Sequence, residues 1–332
     1  MTCSPEISVV MPLRDAASSL VVALGSVCNQ TFKDWELIVI DDGSKDGSSA
    51  LLDDLAAKDE RIRIEHTEPR GVAPAMERCC ELARGVWIAR MDADDWMHPE
   101  RLAKQLEYAN HHPELGVISC RVGYGGEGEG YRAHVDWLNI VMSPDVIALR
   151  RFVEAPVANP SVMFRRGLIA QLGGVREGGF PEDYEMWLRW LDAGVRFGKV
   201  DEELLIWNDP PTRLTRNDPR YAIERFYELK CLWLAKWLDR ELGERALWLW
   251  GAGRVTRRRF ETLPGIHGFI DVDPNKVGSQ RDGRPVRWHD DLPPREQSFI
   301  LVGVGKRGVR DEIQGLLDAQ GWVEGCDYLL VA

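Results

Sequence analysis

The chain reads as an α/β protein, with a doubly wound mixed sheet in its first two-thirds and a smaller α/β unit behind it. Three observations predict this. β-branched runs alternate with amphipathic segments over the first hundred residues, two acidic clusters directly follow such runs, and a second alternation opens near residue 246. At 332 residues the chain is long enough for two domains, each able to bury its own core.

The expected strands of the first unit are Ile7–Met11, Glu36–Ile40, Arg61–Ile64 and Val86–Met91. Between the first two, Leu20, Leu24 and Val27 recur at helical spacing, as do Met76, Cys79 or Cys80, and Ala83 between the last two. Open sheets of this kind bind ligands beyond the carboxyl ends of their strands, where Asp41-Asp42-Gly43-Ser44 and Asp92-Ala93-Asp94-Asp95 both fall. His98-Pro99-Glu100 opens a further helix with Leu102, Leu106 and Ala109 on one face, and Gly116–Cys120 is expected as a strand. Gly123–Gly130, five Gly and two Glu in eight residues, is expected as a loop. Helices are expected near Pro181–Leu191 and over the Trp- and Leu-rich stretch Tyr221–Leu238, where the domain junction is placed. The expected boundaries are 1–218, a helical connector 219–243, and 244–332. The last domain begins Ala246–Trp250, then Gly251-Ala252-Gly253, a basic helix and Gly268–Asp271, and continues to Ser298–Val302 ahead of Gly303-Val304-Gly305.

A formal net charge of −11 argues against a nucleic-acid surface, which needs clustered Lys and Arg, but leaves room for a small polyanion held by a few local cations. The seven Cys are scattered apart from the adjacent Cys79-Cys80, which indicates neither a zinc site nor a disulfide framework. No basic-then-apolar leader follows Met1, and no window reaches the roughly 18 apolar residues of a membrane span. The expectation is a cytoplasmic protein, with peripheral contact at the inner membrane face and homo-oligomerisation both left open.

Three carboxylates within four residues repel one another, so Asp92, Asp94 and Asp95 call for a compensating cation, a hard divalent ion being the natural one. The alternative is an acidic turn in which Asp95 caps the next helix. Asp41 and Asp42 are placed to accept from a pyrimidine imide or from ribose hydroxyls, or else to form an Asx turn ahead of a helix. Glu182-Asp183 after Pro181 reads, by itself, as an acidic helix start.

Taken in order, these pieces carry a resemblance: Val9-Val10-Met11-Pro12, Ser26–Phe32, Glu36–Gly47, Ala83-Arg84-Gly85 leading into Met91–Asp95, Asn159–Arg166, and Pro181–Arg189. The stretch from Ile7 to about Tyr221 resembles the family-2 glycosyltransferases, the large inverting family of the GT-A fold. The resemblance implies that Asp41 contacts the nucleotide base, Asp92 the ribose and metal region, and Asp94 the Mn²⁺ or Mg²⁺ ion that bridges the diphosphate. It implies Asp183 as general base, with Glu182 positioning it, raising it or taking its place. Pro12, Asp42, Arg70 and Ala93 then belong to the nucleotide-sugar site. Two departures stand out. Pro69–Glu77 replaces the Asn-rich segment of many relatives, leaving Arg70 to reach a phosphate, and Arg213-Leu214-Thr215-Arg216 occupies the late loop that carries an Arg or His pair elsewhere, so that Arg213 or Arg216 is expected to clamp phosphate or else to be solvated surface charge. The implied reaction moves a sugar from a nucleotide-diphosphate donor to a saccharide or lipid-linked acceptor hydroxyl, in surface polysaccharide or glycoconjugate assembly.

In the second unit, Gly251 and Gly253 after a strand, with Asp271 about twenty residues on, outline a dinucleotide fingerprint in which Thr256 replaces the third Gly. The order of motifs resembles the Rossmann-like nucleotide-sugar-binding half of bacterial sugar acyltransferases. A packing or dimerisation module is the alternative. Rival readings of the whole chain are an NAD-dependent oxidoreductase centred here, which NADH quenching of Trp fluorescence would reveal, and a non-catalytic nucleotide-sugar-binding protein. A nucleotidyltransferase should carry a Gly-rich basic loop after its first strand, and Met11-Pro12-Leu13-Arg14-Asp15 has no Gly.

Overall fold

The computed structural model describes residues 4–211, 213–306 and 308–332. They form two compact units: Met1–Ile147 with Val157–Asn217, and Ala148–Pro156 with Asp218–Ala332.

The first unit is built on strands β1 (Ile7–Leu13), β2 (Trp35–Asp41), β3 (Ile62–His66), β4 (Trp87–Arg90), β5 (Trp96–Met97), β6 (Leu115–Gly125), β7 (Met163–Arg165) and β8 (Arg196–Asn208). They make one sheet in the order β3-β2-β1-β4-β7-β6-β8-β5. Helices α1 (Ala17–Cys28), α2 (Ser48–Ala56) and α3 (Val72–Leu82) cross between the first four strands, which are parallel. Every residue of β1 and β2 is buried, the usual state of a parallel strand covered on both faces, and this is why their sequences read as apolar runs, broken inside only by Ser8 and Glu36, which hydrogen-bond to each other at 2.7 Å. Beyond β4 the sheet becomes mixed. β7 runs antiparallel to β4 and β6, β8 is parallel to β6, and β5 is antiparallel to β8. Helices α4 (Arg101–His111), α5 (Glu129–Ile140), α6 (Pro144–Arg150), α7 (Gly167–Leu172), α8 (Glu182–Asp192) and α9 (Leu214–Asn217) follow in chain order.

The Ser26–Gln30 motif staples α1 to α4. The buried Gln30 amide donates to the Ser26 and His98 carbonyls and accepts from Leu102 N–H, while Ser26 Oγ accepts from Met97 N–H. The expected loop Gly123–Gly130 is mostly regular structure: β6 runs to Gly125 and α5 starts at Glu129. Gly123 and Gly125 serve close packing, since a Cβ there would lie 2.6 Å from Ile206 and 2.0 Å from Asn208 of β8. β8 itself escapes the apolar pattern because exposed Asp201-Glu202-Glu203 interrupts it, where the pairing with β6 shifts register.

The second unit contains α10 (Ile223–Glu241), β9 (Ala246–Trp250), α11 (Arg254–Arg259), β10 (Ile266–Asp271), β11 (Gln280–Arg281), β12 (Arg284–Trp288), β13 (Ser298–Val302), α12 (Val309–Ala319) and β14 (Tyr328–Leu330). Its sheet has the order β11-β12-β10-β9-β13-β14, parallel except for β11. Leu249, Ile270 and Phe299 to Val302 fill its core. Ala148–Pro156 belongs to this unit. Arg150 pairs with Glu324, Phe152 meets Trp237 edge-on at 6.5 Å, and buried Lys230 Nζ donates to the carbonyls of Val153 and Val331 at 3.0 and 2.9 Å. Among the described residues, no helix is long and apolar enough to cross a membrane.

Candidate active site

The order β2-β1-β4 places the carboxyl ends of three parallel strands side by side. With neighbouring strands about 4.8 Å apart, the ends of β2 and β4 lie about 10 Å from each other across β1. Asp41 and Asp42 occupy one side, Asp92 to Asp95 the other, and Pro12, buried near the end of β1, lies between them.

Asp41 is 1% exposed. Burial works to raise its carboxyl, but hydrogen bonds from Ser44, Ser49 (2.5 Å) and His66 (2.8 Å) outweigh it and hold the group below the usual carboxylate range. Asp42 accepts the backbone N–H groups of Arg70 (2.7 Å) and Gly71 (2.8 Å), so it shapes the loop after β3. The rest of this motif is a turn. Ser44, Ser48 and Asp46 side chains accept from the backbone of Asp15, Ala16 and Ala17, and Gly43 adopts φ 71° with Pro69 where its Cβ would be. Arg70 is exposed and lines a cleft of about 170 Å³ together with Ile40, Asp42, Thr67, Pro74 and the paired Glu65 and Arg78.

Asp92, Asp94 and Asp95 each present a carboxylate oxygen within 4.8 Å of the others. Asn208, the last residue of β8, holds the turn. Its N–H donates to Asp95 Oδ1 at 2.8 Å and its side-chain amide to the Asp94 carbonyl at 2.6 Å. Asp95 Oδ2 is buried with no hydrogen-bond partner. Burial and Asp92 raise Asp94 to about 6, and burial with both neighbours raises Asp95 well above the usual range. An orphaned buried oxygen and crowded oxygen-only donors suit a hard divalent cation, so the residues fit Mn²⁺ or Mg²⁺. Ala93 is buried between them.

Glu182 and Asp183 form the first turn of α8, where a helix N-terminus favours negative charge. Arg189 anchors this helix, binding Glu185 and the carbonyls of Leu172, Gly173 and Gly174. Burial and then Glu182 push Asp183 above the usual carboxylate range.

Sequence reasoning missed two buried arginines here. Arg90, the last residue of β4, contacts Asp92 Oδ1 at 3.0 and 2.9 Å. Burial disfavours its charge, but Asp92, Glu182 and Asp183 outweigh that and raise its pKa. Both carboxylate groups therefore stand in the field of one guanidinium. Arg101, 0% exposed on α4, donates to the Arg90 carbonyl at 2.9 Å and so fixes the strand end from behind. The available signal was an arginine ending an otherwise apolar strand two residues before the acidic cluster. Arg213 lies 4.5 Å over both Tyr131 and Trp207, donates to the Asn208 carbonyl, and lowers the charge cost at Asp94 and Asp95. Arg216 is paired with Asp209 instead.

In the second unit, Gly251 has φ 117° and packs against Thr256. Gly253 immediately precedes α11, which is six residues long. The Asp271 carboxylate is taken up by the N–H groups of Ala252 and Asp273 and by Lys276.

Comparison with known proteins follows the first unit. The sequence model described as Glycosyl transferase family 2 matches residues 8–173, half of the chain. The EpsE protein of Bacillus subtilis (strain 168) is 28% identical over 229 residues, covering 68% of this chain and 80% of that one. O-antigen biosynthesis protein RfbC of Myxococcus xanthus is 29% identical over 208 residues, covering 60% of this chain and 16% of its own length. Among solved structures, residues 1–349 of S. aureus TarS in complex with UDP-GlcNAc align with TM-score 0.58 at 18% identity, covering 70% of this chain and 67% of that one. Mannosyltransferase PcManGT from Pyrobaculum calidifontis, in complex with GDP-Man and Mn²⁺, aligns with TM-score 0.54 at 18% identity, covering 72% and 65%. These structures share the fold of the first unit, and with half its length matched by the family's sequence model the chain belongs to glycosyl transferase family 2.

Proposed function

We propose that this chain is an inverting glycosyltransferase that moves a sugar from a nucleotide-diphosphate donor to an acceptor hydroxyl. The observation that carries this reading is the crowded carboxylate cluster Asp92, Asp94 and Asp95 at the end of β4, with its orphaned buried oxygen, and Glu182-Asp183 opening α8 is the second carboxylate group. One group suits the donor's diphosphate and the other an incoming hydroxyl.

In this mechanism Asp41, Asp42, Pro12 and Ala93 bed the nucleoside, with Arg70 over the cleft and Arg213 facing the phosphates. Asp92 and Asp94 would hold Mn²⁺ or Mg²⁺, which offsets charge growing on the departing nucleoside diphosphate. Asp183 accepts the proton of the acceptor hydroxyl as that oxygen attacks the anomeric carbon from the face opposite the leaving group. Glu182 beside it keeps Asp183 basic enough to do so. The TarS complex with UDP-GlcNAc and the PcManGT complex with GDP-Man and Mn²⁺ support a nucleotide-sugar donor with metal. The O-antigen role in RfbC's name supports a place in surface polysaccharide assembly; in this reading the acceptor is a saccharide or lipid-linked sugar, met at the cytoplasmic side of a membrane. Residues 1–218 carry the reaction in this reading, 219–243 connect, and 244–332 form an accessory domain resembling a nucleotide-sugar-binding half. Asp271's commitment to Ala252 and Lys276 favours packing over ligand binding there.

Thermal-shift screening against UDP- and GDP-sugars, with and without Mn²⁺, should show stabilisation by one nucleotide class that requires metal. Asp94→Ala should abolish transfer together with metal-dependent nucleotide binding, whereas Asp183→Asn should abolish transfer and spare binding. Normal transfer by Asp183→Asn would remove it as base, and a shift with NADH alone would point to the oxidoreductase.

A further inference from the structure

Arg213 reaches the acidic turn from a segment with no packing of its own. α9, which begins at the next residue, has no buried side chain, and Leu214 is 43% exposed. A long cation carried by such a segment samples many rotamers, and fixing it costs side-chain entropy unless rigid neighbours supply contacts. Two aromatic rings supply them. The Arg213 guanidinium carbon lies 4.5 Å from the ring centroids of both Tyr131 on α5 and Trp207 on β8, and these two rings meet edge-on at 5.1 Å. The three distances are nearly equal, so the cation sits in the notch between the rings. Trp207 is 8% exposed, and Tyr124 backs Tyr131 at 5.7 Å, which makes the notch rigid. Arg213 Nη1 also donates to the Asn208 carbonyl at 3.3 Å, and Asn208 is the residue that holds Asp94 and Asp95. A guanidinium lying over aromatic rings uses its faces there and keeps its N–H groups at the edge, where an oxyanion can take them.

We propose that Tyr131 and Trp207 are positioning residues, which together hold the Arg213 guanidinium beside the acidic turn for the diphosphate of the donor. α5 thereby becomes a wall of the donor site, although none of the groups that bind donor or move a proton in the mechanism lies on it. The inference rests on the reading of Arg213 as a phosphate-facing residue. It differs from ordinary aromatic packing, whose loss would lower stability without separating recognition of the diphosphate from recognition of the nucleoside.

The test uses the full chain, with Tyr131→Leu and Tyr131→Met to remove the ring from a helix position that accepts either residue, and Tyr131→Phe to keep it. Binding of UDP and GDP is measured by calorimetry with Mn²⁺, and binding of uridine and guanosine by ligand-observed NMR titration. Arg213→Ala is expected to weaken the nucleoside diphosphate that binds by about 10–100-fold, the worth of a charge-assisted hydrogen bond. Tyr131→Leu and Tyr131→Met should each weaken it about 3–30-fold, the range of a cation–π contact, and leave the matching nucleoside unchanged. In the Arg213→Ala background the same changes should add no more than about twofold, because the cation they position is then absent. Tyr131→Phe should bind like the wild type. Melting without nucleotide or metal supplies a readout free of the donor, in which the shifts of Tyr131→Leu and Arg213→Ala should be less than additive. Wild-type diphosphate binding in both ring-less variants overturns the proposal, as do equal losses for diphosphate and nucleoside, or additive effects in the cycle with Arg213→Ala. If the wild type binds neither UDP nor GDP, the donor reading fails for them and the phosphate role falls with it, while the ligand-free melting cycle still decides whether the rings hold Arg213.

Discussion

Asp183 illustrates how a common residue acquires a particular task from its surroundings. Burial and Glu182 raise it to about 7, so much of it is protonated in mildly acidic solution. A base must be ionised to work, so kcat should climb as pH rises through about 7 and level off above it, and the pH–rate profile of the wild type checks this. Asp183→Asn should lower kcat by about 10²–10⁴ on the plateau above that pH and erase the limb. His66 works in the opposite sense. Asp53 and then Asp41 hold its imidazolium above the ordinary range, so its contribution to stability is complete below the unfolded value and fades as pH rises through the folded one. The melting-temperature deficit of His66→Gln should thus be larger at pH 5.5 than at pH 9. The residues at the two acidic strand ends were legible in the sequence because like charges crowded after an apolar run have few innocuous explanations. Arg90 was not, since a lone arginine ending a strand looks the same whether it meets solvent or a buried carboxylate.

α8 carries the candidate base but owes its position to a residue two turns along. Arg189 satisfies Glu185 and three consecutive carbonyls of the preceding loop, and Trp190 Nε1 adds a fourth bond to Gly173 at 3.1 Å. Arg189→Met strips the Leu172 and Gly174 carbonyls of this donor and leaves the buried Glu185 with only the more exposed Arg176 at 3.5 Å, so it should cost about 3–5 kcal/mol in denaturant unfolding and lower kcat through displacement of Asp183. At this scale the parallel half of the sheet was readable from periodicity, because β1, β2 and β4 are buried along their whole length while β3 alternates apolar and polar residues. Of the mixed half, only the Gly116–Cys120 stretch of β6 was. β6 and β8 pair over eleven and thirteen residues, yet Gly123 and Gly125 imitate a loop and Asp201–Glu203 imitates a turn. What selects their conformation is each other's surface, a long-range condition that no local window contains.

Each of the two units has its own sheet and its own buried core, which predicts calorimetric unfolding that departs from a single two-state transition. A nucleotide-sugar with Mn²⁺ should move only the transition of the first unit. Leu249→Ala, at a fully buried position of β9, should move only the other, with a loss of about 2–5 kcal/mol. The existence of two α/β units was legible from the second alternation near residue 246. The membership of Ala148–Pro156 was not, because those nine residues carry no motif and find their partners far along the chain. That separation also has a meaning in time. On a ribosome adding roughly 5–20 residues per second, Arg150 emerges some 10–35 s before its partner Glu324 exists. For roughly the first half of that interval Phe152 and Val153 also wait for Trp237 and Lys230 to be made, so Ala148–Pro156 is the stretch where a chaperone would find its earliest foothold.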